Sequence, residues 1–123
     1  MQPLNVVVAS NDSQAASELA ASLNAHYRQV SVARSLDEIR HAIPKHRAQL
    51  AIVDLELASV KDIERLAREF GHMTIVCTHR VPDEEMWASA LAAGAIDCCP
   101  SDDPACIIQT VDRNVRLARS SAA

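Results

Sequence analysis

Apolar residues arrive along this chain in short runs, and between the runs they recur at helical spacing. The segments "LNVVVA" (4–9), "QVSVA" (29–33), "LAIVD" (50–54), "MTIVCT" (73–78) and "AIDCC" (95–99) are rich in Val and Ile and read as strands. Between them the period changes to that of a helix. "AASELAASLNA" (15–25) sets Leu19 and Leu23 one turn apart, with Asp12 or Ser13 as a natural N-cap. "SLDEIRHAI" (35–43) opens with Ser35 and Glu38 at capping-box spacing and is expected to end before Pro44. "SVKDIERLAREFG" (59–71) gathers Val60, Ile63, Leu66, Ala67 and Phe70 on one face, with Gly71 as its stop. "VPDEEMWASALAAG" (81–94) carries acids in its first turn and Gly94 at its end. "DPACIIQTVDRNVRLARS" (103–120) places Pro104 near its start. Ile107, Ile108, Val111, Val115 and Leu117 face inward, and Arg113, Arg116 and Arg119 outward.

Five strands thus alternate with five helices. Strands that are apolar along their whole length are buried on both faces, which implies a parallel sheet with helices on each side. The predicted fold class is α/β, a three-layer, doubly wound, five-stranded parallel sheet of flavodoxin-like type. In such a sheet, chemistry collects beyond the C-terminal strand ends. Those ends carry Ser10, Asn11 and Asp12; Asp54; Thr78; and Cys99 to Asp102.

Composition narrows the picture. The chain has 123 residues, enough for one domain with one core, here expected over 1–123 with the core at about 4–118. Hydrophobic residues make up 49 % but aromatics only 2 %, so the core is aliphatic. A net charge of −4 gives no general electrostatic case for direct nucleic-acid binding. No apolar run is long enough to span a membrane, and "MQPLNVVVASND" lacks the features of a signal peptide, so the expected location is the cytoplasm. Cys77, Cys98, Cys99 and Cys106 form no CxxC pair, which disfavours zinc; they read as small buried hydrophobes. Cys98 and Cys99, adjacent on a strand, should point to opposite faces.

The order of "AIVDLEL" at the third strand, "IVCT" at the fourth and "AAGAIDCCPSDDP" at the fifth resembles the receiver domain of bacterial two-component response regulators. The resemblance spans nearly the whole chain and rests on order and spacing rather than on one strong motif. It implies that Asp54 accepts a phosphoryl group from a sensor histidine kinase or phosphotransfer protein, and that Thr78 bonds a phosphoryl oxygen. It implies no enzyme activity beyond self-phosphorylation from a phosphodonor and autodephosphorylation. It also implies Mg²⁺, held in the family by two acids after the first strand, by the acceptor and by a backbone carbonyl. The acids match Ser10 and Asn11 here, with Asp12 one position late; the carbonyl is that of Glu56. The expected metal set, Asp12, Asp54 and Glu56, is therefore weak, since charge gives most of the affinity for this ion.

Other family positions also differ in this chain. The lysine that pairs with the phosphoryl group is matched by Ser101, the proline after the acceptor strand by Ala58, the fifth-strand aromatic by Cys98, and the small residue after the threonine by His79. Glu56 and Arg80 lie two residues beyond Asp54 and Thr78, placed for an ion pair over the mouth of the site. The fourth helix, fifth strand and fifth helix form the family's output face. This implies that Trp87, Arg113 and Arg116 mark an interaction surface for a downstream protein, an effector domain or a second copy of the chain. Trp87 and Met86 cannot both be well buried in a helix so rich in alanine; one should be core and the other partly exposed. The alternative is a pseudo-receiver, a protein-interaction module that keeps the fold and works without phosphorylation. A flavodoxin-like ligand-binding domain is weaker still: Gly71 and Gly94 are the only glycines, so there is no glycine-rich phosphate loop.

Overall fold

A computed structural model describes residues 2–122, with side chains over 4–114. Strands and helices alternate along the chain: β1 (Gln2–Ala9), α1 (Ser13–Asn24), β2 (Tyr27–Ala33), α2 (Leu36–His46), β3 (Leu50–Asp54), α3 (Val60–Glu69), β4 (Thr74–His79), α4 (Glu84–Ala93), β5 (Asp97–Pro100) and α5 (Pro104–Ala122). The five strands form one parallel sheet in the order β2-β1-β3-β4-β5. The winding reverses between β1 and β3, so the C-terminal end of β3 lies at the topological switch point.

The two-residue period of the strands sorts the core into two layers. Val7, Ala9, Ala51, Val53, Ile75, Cys77 and Cys98 face one side, against Ile39 and Ile43 of α2, Ile63 and Leu66 of α3, and Ala90 and Ala93 of α4. Val6, Val8, Leu50, Ile52, Val76 and Cys99 face the other, against Leu19 and Leu23 of α1 and Ile107 and Val111 of α5. Cys98 and Cys99 do point to opposite faces. The small residues of α4 let it lie close to α3. Gly94, at φ 118°, ends α4, and a Cβ there would sit 2.8 Å from that of Ala67.

Local signals mostly act as expected. Asp12 caps α1, Ser59 and Asp62 form a full capping box on α3, and Asp83 caps α4. Three boundaries differ from the expectation. The helix expected to stop before Pro44 runs on to His46: buried Ile43 anchors the last turn, and Arg47, at φ 52°, returns its N–H to the carbonyls of Ile43 and Pro44. The lost Pro44 N–H costs one bond near an end that frays in any case. Glu38 completes only half of its box, accepting from Arg34 N rather than from Ser35 N. Gly71 is not a left-handed stop; Phe70 is the C-cap of α3, with its N–H on Leu66 O. Val115, Arg116, Leu117 and Arg119 lie outside the described side chains.

Candidate functional site

The strand period that builds the α1/α5 layer also builds the site. Val8, Ile52, Val76 and Cys99 are the last apolar residues on that face of their strands. Two residues further on, at the same face and level, come Ser10, Asp54, Thr78 and Ser101. These four line one small cavity together with Ala15, Ala16 and Leu19 of α1. Its volume is about 10 Å³, room for roughly one water.

Asp54 is 7 % exposed. Its Oδ1 accepts the backbone N–H of Glu56 at 2.8 Å, and its Oδ2 accepts the Thr78 hydroxyl at 3.4 Å. The register pairs Asp54 directly with Thr78 across β3 and β4, which is why the two groups meet. Burial pushes the Asp54 carboxyl above the usual carboxylate range, and the Glu56 charge adds to this. The Glu56 N–H, the Thr78 hydroxyl and nearby His79 act in the opposite direction. The carbonyl of Asp54 accepts from the N–H groups of Leu57 and Ala58, closing the turn that follows β3.

The mouth of the site carries the charges. Glu56 Oε1 lies 3.3 Å from Arg80 Nε and 4.0 Å from His79 Nε2. His79 Nδ1 accepts from Val81 N, which turns the other ring nitrogen toward Glu56. The expected Glu56–Arg80 pair therefore forms. The Arg80 side chain is 71 % exposed, so the pair contributes only ~0–1 kcal/mol. His79 joins it, a contact the sequence did not suggest.

The other side of the site is uncharged. Ser10 Oγ accepts from Asp12 N at 3.2 Å, Asn11 is exposed, and Ser101 N donates to His79 O at 2.9 Å. Asp12 does not line the cavity. Its Oδ1 accepts from Gln14 N and Ala15 N, both at 3.1 Å, as the cap of α1. Among the described residues, Asp54 supplies the one carboxylate lining the cavity, beside the Glu56 backbone. Mg²⁺ demands near-octahedral oxygen geometry and keeps several waters. One carboxylate gives such an ion little of the charge that its binding draws on.

The expected interaction residues lie elsewhere on the surface. Trp87 is 44 % exposed and its indole Nε1 donates to Asp97 Oδ1 at 2.8 Å, while Met86 packs partly buried against the core. Arg113 is exposed and borders a shallow depression with Ile96, Asp97, Thr110 and Asn114. Trp87 and Arg113 thus flank the same acid, Asp97, which the sequence reading passed over. An acid inside the otherwise apolar "AIDCC" was the available signal.

No family model matches the chain, and no curated protein does. Solved structures do match in fold. A two-component response regulator of the LuxR family from Aurantimonas superposes with a TM-score of 0.81 at 15 % identity, over 94 % of this chain and 86 % of that one. The isolated REC domain of RcsB from Salmonella enterica, determined with the phosphomimetic BeF₃⁻, gives 0.78 at 14 %, over 91 % and 90 %. A response regulator from Burkholderia pseudomallei, holding a phosphorylated aspartic acid, a calcium ion and citrate, gives 0.78 at 19 %, over 98 % and 73 %. The fold is that of response-regulator receiver domains.

Proposed function

We propose that this chain is a receiver module of two-component signalling in which Asp54 accepts a phosphoryl group inside a cation-poor pocket. The observation that carries this reading is the Asp54–Thr78 pair at adjoining strand ends, with the carboxylate held by the Glu56 N–H. Oδ1 is fixed by a short backbone bond, whereas Oδ2 has one long hydroxyl contact and is the freer nucleophile. Oδ2 attacks the donor phosphorus, the bond from phosphorus to the donor breaks, and the donor leaves with its electron pair. The Thr78 hydroxyl then turns to a phosphoryl oxygen. Ser101 offers only a hydroxyl to the same group, so phosphorylation is slow. Mg²⁺ is held weakly. The partners are a histidine kinase or phosphotransfer protein upstream. Downstream, a protein, an effector domain or a second copy meets the surface around Trp87 and Arg113.

A second reading is a phosphorylation-independent interaction module. It is favoured by the water-sized cavity beside Asp54 and by the lack of any lysine or arginine lining it. Intact-mass measurement after incubation with acetyl phosphate, with and without Mg²⁺, separates the two. One added phosphate that is lost in Asp54→Asn supports the acceptor reading. No added mass on folded protein, with partner capture that is equal for wild type and Asp54→Asn, supports the second.

A further inference from the structure

Away from this site, β5 and α5 press two thiols together. Cys99 and Asp97 share a face of β5, and Cys106 and Thr110 share a face of α5. The Cys106 and Cys99 sulfurs are 2.6 Å apart, Cys99 Sγ is 3.8 Å from Thr110 Oγ1, and Thr110 Oγ1 donates to Asp97 Oδ2 at 2.9 Å. Strand and helix are thus joined by two neighbouring cross-contacts, one of sulfur and one of oxygen. All four cysteines are free thiols, Cys99 fully buried and Cys106 half-buried.

We propose that Cys99 and Cys106 form a reversible disulfide, a peroxide-sensitive modification site that ties β5 to the first turn of α5. The half-buried Cys106 reacts first. Its sulfur attacks one oxygen of hydrogen peroxide, the O–O bond breaks, and Cys106 becomes a sulfenic acid with release of water. Cys99 sulfur then attacks the sulfenic sulfur, the S–O bond breaks, and the hydroxyl leaves as a second water, taking the Cys99 proton. Two thiols lose two protons and two electrons, and the peroxide gains them.

The alternative for this cluster is a divalent metal on Asp97, Cys99 and Cys106, whose ligand atoms all lie within 4.8 Å of one another. Three observations favour the disulfide. The sulfurs stand closer than two ligands of one zinc, each ~2.3 Å from the ion in a tetrahedral site, would stand. Both Asp97 oxygens are already in use, Oδ1 by Trp87 Nε1 and Cys98 N, and Oδ2 by Thr110. Two thiolates and a carboxylate around a dication would also leave a net negative charge beside a fully buried residue, whereas a disulfide is neutral.

The test is brief treatment of the folded chain with hydrogen peroxide, followed by thiol counting and intact mass. The expected result is a fall from four titratable thiols to two, a mass lower by two hydrogens, and full recovery with dithiothreitol. Cleavage before Asp102 and Asp103 should leave the two cysteine-bearing fragments joined until reduction. Cys98→Ser, on the opposite face of the sheet, should keep the bridge, and Cys106→Ser should lose it. Four remaining thiols, a bridge that includes Cys98, over-oxidised Cys106 without a bridge, or one equivalent of zinc protecting both thiols would overturn the proposal.

Discussion

The two sides of the Asp54 pocket differ in how they are held and in what they offer. On the β3–β4 side, Asp54 and Thr78 are adjacent partners in a parallel ladder, so the sheet fixes the geometry of carboxylate and hydroxyl. On the turn side, Ser10 and Asn11 follow β1 and Ser101 follows β5, flanking that pair from opposite edges; Ser10 Oγ accepts from Asp12 N, and Ser101 N donates to His79 O. The ladder side offers a carboxylate and a hydroxyl; the turn side offers no charged group to the cavity. A reactive group placed by register persists as long as the fold does, whereas one placed by a turn can be replaced without disturbing the core.

Removing the donor on the ladder side should have the largest effect. Thr78→Val keeps shape and β-propensity but deletes the hydroxyl, and should slow phosphoryl gain from acetyl phosphate by about 10²-fold. An unchanged rate would detach Thr78 from the chemistry. Restoring charge on the turn side comes next. Ser101→Lys combined with Asn11→Asp should speed phosphorylation by about tenfold, some 1.4 kcal/mol of barrier, and make it Mg²⁺-dependent. No gain would mean that the closed cavity, not the missing charge, is limiting.

Asp12→Ala tests whether the turn side is structural. Loss of the cap should cost about 1 kcal/mol, read as a lower urea midpoint, while phosphoryl gain stays as in wild type. A change in rate would return Asp12 to the site.

Asp54→Asn probes the buried charge. Because the folded carboxyl titrates above its ordinary 3.8, the unfolded chain ionises first as pH rises and wild type loses stability relative to the variant. The variant's advantage in Tm should therefore be smallest in acid, grow as pH passes upward from 3.8 through the raised folded value, and then level off. A flat difference across that range would show that Asp54 carries no such penalty. The smallest effect belongs to Arg80→Ala, at most ~0.5 kcal/mol in stability for so exposed a pair. Its informative readout is the lifetime of the phosphorylated form, which should shorten if the Glu56–Arg80 pair keeps water from the acyl phosphate.

Much of this site was legible in the sequence, for a definite reason. A strand's side-chain period is two, so in "NVVVAS", "AIVD" and "TIVCT" the step from apolar to polar announces both the strand end and the face. Asp54 and Thr78 were found that way. The metal role of Asp12 was not decided by this rule, because beyond a strand end the period no longer holds. The same residue type in "SNDS" serves as a cap or as a ligand depending on backbone angles, here φ −96° and ψ 106°.

The alternation of strands and helices, the aliphatic two-sided core and the level at which polar groups begin could all be read along the chain. Those follow from local periodicity and capping, which act over a few residues. Contacts between residues distant along the chain came from the packing of whole elements. Packing of α5 on β5 brought Cys99 to Cys106 and Thr110 to Asp97, and the seating of α4 aimed the Trp87 indole at that same acid. Packing of α1 on the strand ends left a space of about 10 Å³ beside Asp54. Such contacts depend on the distance and rotation between whole elements, set by the sum of side-chain volumes across a layer, and no local pattern encodes that sum.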